Sequence, residues 1–83
     1  MERVRALNSN SGNVVSYGWE ETPSQGTAVG TLSVEFAGRM GKTSVYEYLD
    51  VTQSDWRDLL QSHSAGHFIN ERIKPNYPVR KVQ

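Results

Sequence analysis

TLSVEFA, residues 31–37, followed by GRMG at 38–41 and TSVYEYLDV at 43–51, decides the architecture. Leu32, Val34 and Phe36 alternate with Thr31, Ser33 and Glu35, a two-residue period that puts an apolar row on one side of a strand and a polar row on the other. Gly38 and Gly41 supply permissive backbone within four positions, so the second run is expected to return antiparallel beside the first. In it, Val45, Leu49 and Val51 share a side with Glu47, and Tyr46 and Tyr48 share the other with Ser44 and Asp50. Alternation alone lets either side meet the core; the tyrosine side is the one expected inward, because a central carboxylate is costly to bury whereas a phenol can carry its polar tip to the rim. Upstream, NVVSYGW at 13–19 places Val15, Tyr17 and Trp19 at the same spacing and reads as the first of three strands. Pro23 and Gly26 mark a longer connection between the first two.

Downstream of Val51 the period changes from two to three and four. Thr52 is an N-cap residue, Asp55 sits at the third helical position near the positive end of the helix dipole, and Val51 can staple against Trp56. Trp56, Leu59, Leu60 and His63 then define one helical face. Residues 62–66 interrupt it, Ser64 caps a second short helix carrying Phe68, Ile69 and Ile73, and Pro75 ends that helix. NYPVRKVQ, residues 76–83, reads as an extended tail with Tyr77 and Val79 as anchors. The expected fold is therefore α+β: a three-stranded antiparallel β-meander followed by two short helices packed on one face. Residues 1–12, polar and without an apolar period, read as a flexible lead-in, and residues 13–83 as a single domain.

Eighty-three residues with no cysteine hold no disulfide framework and no thiolate metal site, so packing alone must sustain one small core. No run approaches the length of a membrane span, and the cytoplasm is the expected compartment. Nine basic and nine acidic residues cancel overall but are unevenly placed. Residues 14–58 carry seven acidic against three basic side chains, whereas residues 71–83 carry Arg72, Lys74, Arg80 and Lys81 against Glu71 alone. This asymmetry allows an anionic partner at the C-terminal end and opposes one over the body.

Gly41-Lys42-Thr43 matches the end of a phosphate-binding loop, but the first glycine of that pattern falls on Phe36 and a strand follows, so a hairpin turn accounts for it. His63, His67 and Glu71 are spaced by four, yet the break at 64–66 separates them, and no metal or cofactor is expected. No nucleophile elbow or acid/base pair stands out, and the chain reads as non-enzymatic. The remaining constellation is the basic end with an aromatic ring and a histidine. Arg72, Lys74, Arg80 and Lys81 suit phosphates, Tyr77 suits base stacking, and His67 and the Ser64 helix start extend the set.

VYEYLDV at 45–51, with its Tyr46-x-Tyr48, followed by a helix and by SAGHFINERI at 64–73 and Tyr77-Pro78, resembles the KTSC domain family. That family is named from the C-terminal domain of some lysyl-tRNA synthetases and also occurs as small stand-alone bacterial and phage proteins. The resemblance covers roughly residues 13–82 and rests on Tyr46, Tyr48, Ser64, Gly66, Phe68, Asn70 and Tyr77. It implies contact with RNA or tRNA. Ala65 and His67 stand where the family often carries basic residues, which removes or weakens two phosphate contacts. Two functions are therefore expected to compete: an RNA- or tRNA-binding domain using the basic C-terminal face, and a phage or bacterial accessory module that meets a protein through a sheet edge or the open sheet face. Its strand edges permit either a monomer or a homodimer.

Overall fold

The computed structural model describes residues 4–5, 13–23 and 28–82. Strands β1 (Val4–Arg5), β2 (Val14–Glu21), β3 (Val29–Ala37), β4 (Thr43–Thr52) and β5 (Val79–Lys81) form one antiparallel sheet in that order. Helix α1 (Gln53–Gln61) follows β4 directly, and α2 (Ala65–Phe68) continues into a π-helical turn, Ile69–Ile73, before β5. The α+β class holds, but the three-stranded meander is corrected to five strands. The added strands are short edges. Lys81, Arg80 and Val79 lie opposite Tyr46, Glu47 and Tyr48, so the extended tail is paired with β4. Val4 lies opposite Tyr17, which draws two residues of the lead-in into the sheet; the rest of residues 1–12 lie outside the described residues.

Leu32, Val34, Tyr48, Val51, Leu59, Ile69 and Ile73 form the buried centre, joined by Val14, Tyr17 and Ala65. Each large apolar side chain so buried contributes about 1.5–3 kcal/mol relative to exposure. The tyrosine side of β4 does face inward: Tyr48 is 2% exposed and Tyr46 packs against the same cluster. Two bulges revise the strand faces. On β2, Val14 pairs with Phe36 and Ser16 with Glu35, so Val15 is the extra residue and Val14 takes the inward place expected for Val15. On β4, Tyr48 pairs with Leu32 and Val51 with Gly30, and Asp50 adopts the left-handed conformation with φ of 60°. That extra residue lets Tyr48 and Val51 both face the core at a spacing of three, and it turns Asp50 out to solvent.

The hairpin between β3 and β4 closes as a 3₁₀ turn, Arg39–Gly41, with Gly38 N–H donating to the Lys42 carbonyl at 2.6 Å. Met40 and Gly41 both take positive φ there, and the chain runs from this turn into β4 at Thr43, so the helix that a phosphate-binding loop must open is replaced by a strand.

Thr52 caps α1, its hydroxyl accepting from Asp55 N–H at 3.1 Å. Its inward face is Asp55, Trp56, Leu59 and Ser62, not Trp56, Leu59, Leu60 and His63: Leu60 is 44% exposed, and His63 lies exposed beyond the helix. The rotation follows from the partners of Asp55, which satisfy its carboxylate well enough for it to turn toward the protein. No helix among the described residues is long and apolar enough to cross a membrane.

Candidate nucleic-acid interface

The seven residues expected to meet an anionic ligand do not form one surface. Ser64 caps α2, its hydroxyl accepting from His67 N–H at 3.2 Å. His67 is exposed, with Nε2 3.5 Å from a Glu71 carboxylate oxygen. Arg72 reaches back to α1, donating to Asp55 at 3.0 Å and Asp58 at 3.4 Å, while its guanidinium lies 5.1 Å from the centre of the Phe68 ring. Arg80 points to the opposite side of the sheet and donates from Nε to Glu47 at 2.8 Å. Each arginine therefore already holds a carboxylate.

Tyr77 is an anchor. Its hydroxyl donates to Asp55 at 2.5 Å and lies 3.4 Å from the Thr52 hydroxyl, so the phenol bridges the N-cap and the first-turn acid of α1. Asp55 thus receives Arg72 on one oxygen and Tyr77 on the other. Among the family-motif residues, Tyr48 and Gly66 are buried, Phe68 is half-buried against the core, and Asn70 is exposed.

Lys74 and Lys81 are different. Neither takes part in an ion pair among the described residues. Lys81 lies opposite Tyr46, on the helix-facing side of the sheet. Lys74, just past the π turn, carries its ammonium 5.4 Å from the centre of the Phe36 ring. Beside Lys74 opens a groove of about 500 Å³ lined by Phe36, Tyr46, Tyr48, Lys74, Val79 and Asn13, with Ala37 and Ser44 completing the wall. Among the described residues, no carboxylate lines it. Phe36 and Tyr46 meet edge to face at 5.8 Å, which fixes two rings at its floor. Burial pushes the Tyr48 phenol above its ordinary value, and the neighbouring Tyr46 adds to the effect.

The groove exists because the helices cover only part of the sheet. Trp56 of α1 stacks on Trp19 at 6.4 Å and meets Tyr17 edge-on at 6.1 Å, closing one end. Ile69 and Ile73 fill the middle. At the hairpin end, Phe36 and Tyr46 meet Lys74. Sequence reading found Lys74 and the inward tyrosines but not their meeting. The local signal was Phe36 ending an apolar row two residues before the turn, which put a large ring at the margin of the core.

No curated protein matches the chain. The model of the KTSC domain matches residues 10–77, which takes in both tyrosines of β4, the cap of α2, the π turn and Tyr77, and the chain therefore belongs to the KTSC domain family.

Proposed function

We propose that this is a non-enzymatic domain that binds RNA, tRNA among its candidate ligands, on the helix-facing side of its C-terminal segment. The observation that carries the reading is the pair of cations that, among the described residues, are left without carboxylates, Lys74 and Lys81, on the same side of the sheet as the half-buried rings of Phe36 and Tyr46. Unpaired ammonium groups release counterions from phosphates on binding, whereas Arg72 and Arg80 would first have to leave their acids. Aromatic rings beside such cations accept unpaired bases without demanding a sequence. Ser64 contributes as a cap and Tyr77 as an anchor, so both act on the shape of the site.

Titration of the protein with labelled tRNA at several salt concentrations tests the reading. Two phosphates neutralised predict a log-log salt slope of about −1.4 for a single strand. Binding that is undetectable at low salt overturns it. A second reading, contact with a protein along the outer edge of β5, has its support in Val79 and Val82, which are 50% and 54% exposed. It predicts a stoichiometric complex whose formation is insensitive to salt and is lost when Val82, which does not line the groove, is replaced by Lys.

A further inference from the structure

We infer that the groove at the hairpin end is a one-nucleotide site, taking a single unpaired base against Phe36 and Tyr46 with its phosphate on Lys74; this rests on the RNA reading above. Size, charge and shape point the same way. A volume of about 500 Å³ lies within the range of small-molecule sites, about 300–1,000 Å³, and is far too small for a duplex. Among the described residues the lining holds one ammonium and no carboxylate, so its charge complements an anion. Phe36 and Tyr46 are held at right angles, 77° between planes, so a base can lie on one ring and meet the edge of the other. Lys74 Nζ sits 5.4 Å from the Phe36 centre, which puts the phosphate and the stacked base within reach of one nucleotide unit.

Hydrogen-bonding groups complete the pattern. Asn13, Ser44 and Tyr46 line the same space, and amides and hydroxyls of the kind these residues carry pair with base edges and sugar hydroxyls. In the free protein the Lys74 ammonium lies over the Phe36 ring. A phosphate draws the ammonium off the ring and frees that face for the base, so the two contacts form together. Lys81, opposite Tyr46 on β5, is positioned to meet the phosphate of the adjoining nucleotide in a longer strand.

The test is an amide NMR titration of the full chain with adenosine 5′-monophosphate, with adenosine and inorganic phosphate as separate arms, run beside the tRNA titration. Saturable shifts at Phe36, Ser44, Tyr46, Lys74 and Val79 with the nucleotide, and weak unsaturated shifts with either fragment, support the inference. Lys74→Ala, an exposed change, is expected to weaken the nucleotide about fivefold or more and to reduce the salt slope of strand binding by about 0.7. Phe36→Leu keeps an apolar side chain at the groove floor and is expected to lose the stacking contribution while the spectrum stays folded. If tRNA binds but the nucleotide shifts fall elsewhere, or Lys74→Ala and Phe36→Leu change neither ligand, the groove assignment is overturned and the RNA reading stands. If the nucleotide saturates the groove and tRNA does not bind, the groove assignment stands and the RNA reading falls. Saturation of the same resonances by an acidic, phenylalanine-containing peptide, with none by the nucleotide, overturns the inference in favour of a protein ligand.

Discussion

At the scale of single residues, a few side chains decide whether the sheet closes. A Cβ added at Gly30 would lie 2.3 Å from the Glu20 carbonyl oxygen and 2.7 Å from Trp19 Cε2, with backbone on one side and a ring held by its bond to Val51 on the other. Neither can retreat cheaply. Gly30→Ala is expected to lower stability by about 1–3 kcal/mol, read from the urea midpoint. Tyr77→Phe removes the hydroxyl shared by Asp55 and Thr52 and is expected to cost about 1.5 kcal/mol while leaving Arg72 on Asp55. Both Tyr17 and Tyr48 hold their phenol protons to higher pH than the ordinary 10.0, because burial penalises the phenolate. Below pH 10 folded and unfolded chains are equally protonated at these groups, and their stabilising effect is fully present. Above it the unfolded chain ionises first, so stability falls as pH rises toward the folded values. Tyr48→Phe is expected to flatten this alkaline loss in urea melts taken from pH 9 upward, an effect that an unchanged slope would contradict.

At the scale of elements, the helix ends and the π turn set the groove. Thr52 and Ser64 each cap a helix with one hydroxyl, so Thr52→Ala and Ser64→Ala are each expected to cost about 1 kcal/mol in thermal or urea unfolding. If Ser64 instead served mainly to hold an anion, its replacement would weaken RNA binding with no change in stability. In the π turn, Lys74 N–H donates to the Ile69 carbonyl at 2.8 Å, five residues back. The extra residue keeps Ile69 and Ile73 in the core while Lys74 swings over Phe36 and Tyr77 reaches α1. The Asn76 side chain then donates to the Arg72 carbonyl at 2.7 Å and ends the turn. The same short stretch thus builds the core, the latch on Asp55 and one wall of the groove.

At the scale of the whole molecule, charge is sorted by pairing rather than by position in the chain. Four basic residues lie between 71 and 83, but Arg72 is held by Asp55 and Asp58 and Arg80 by Glu47, which leaves Lys74 and Lys81 on the groove side. Lys81→Glu is therefore expected to change stability by less than about 0.5 kcal/mol and to weaken RNA binding clearly. Arg72→Glu should do the reverse in emphasis, lowering stability by about 1 kcal/mol, the upper end for a half-exposed pair. Circular dichroism melts and binding titrations on both variants separate the two effects.

Local patterning legible in the sequence determined the α+β class, the β3–β4 hairpin and the Thr52 start of α1, whereas for the tyrosines of β4 it favoured the inward side without deciding it. Each depends on residues within one turn or one alternation of each other, and so each is settled by short-range stereochemistry. What the alternation missed were the bulges at Val15 and Asp50, since a period of two carries no mark of the residue at which it slips; both show only when the partner strand is in place. Asp55 joined the inward face, where Leu60 was expected, because a carboxylate turns inward when Tyr77 and Arg72, seventeen or more residues away, arrive to satisfy it. Likewise, the four cations looked equivalent along the chain. Only the tertiary structure decided which of them met an acid and which met an aromatic groove, because ion pairing and ring contact act through space between strands and helices that the sequence keeps far apart.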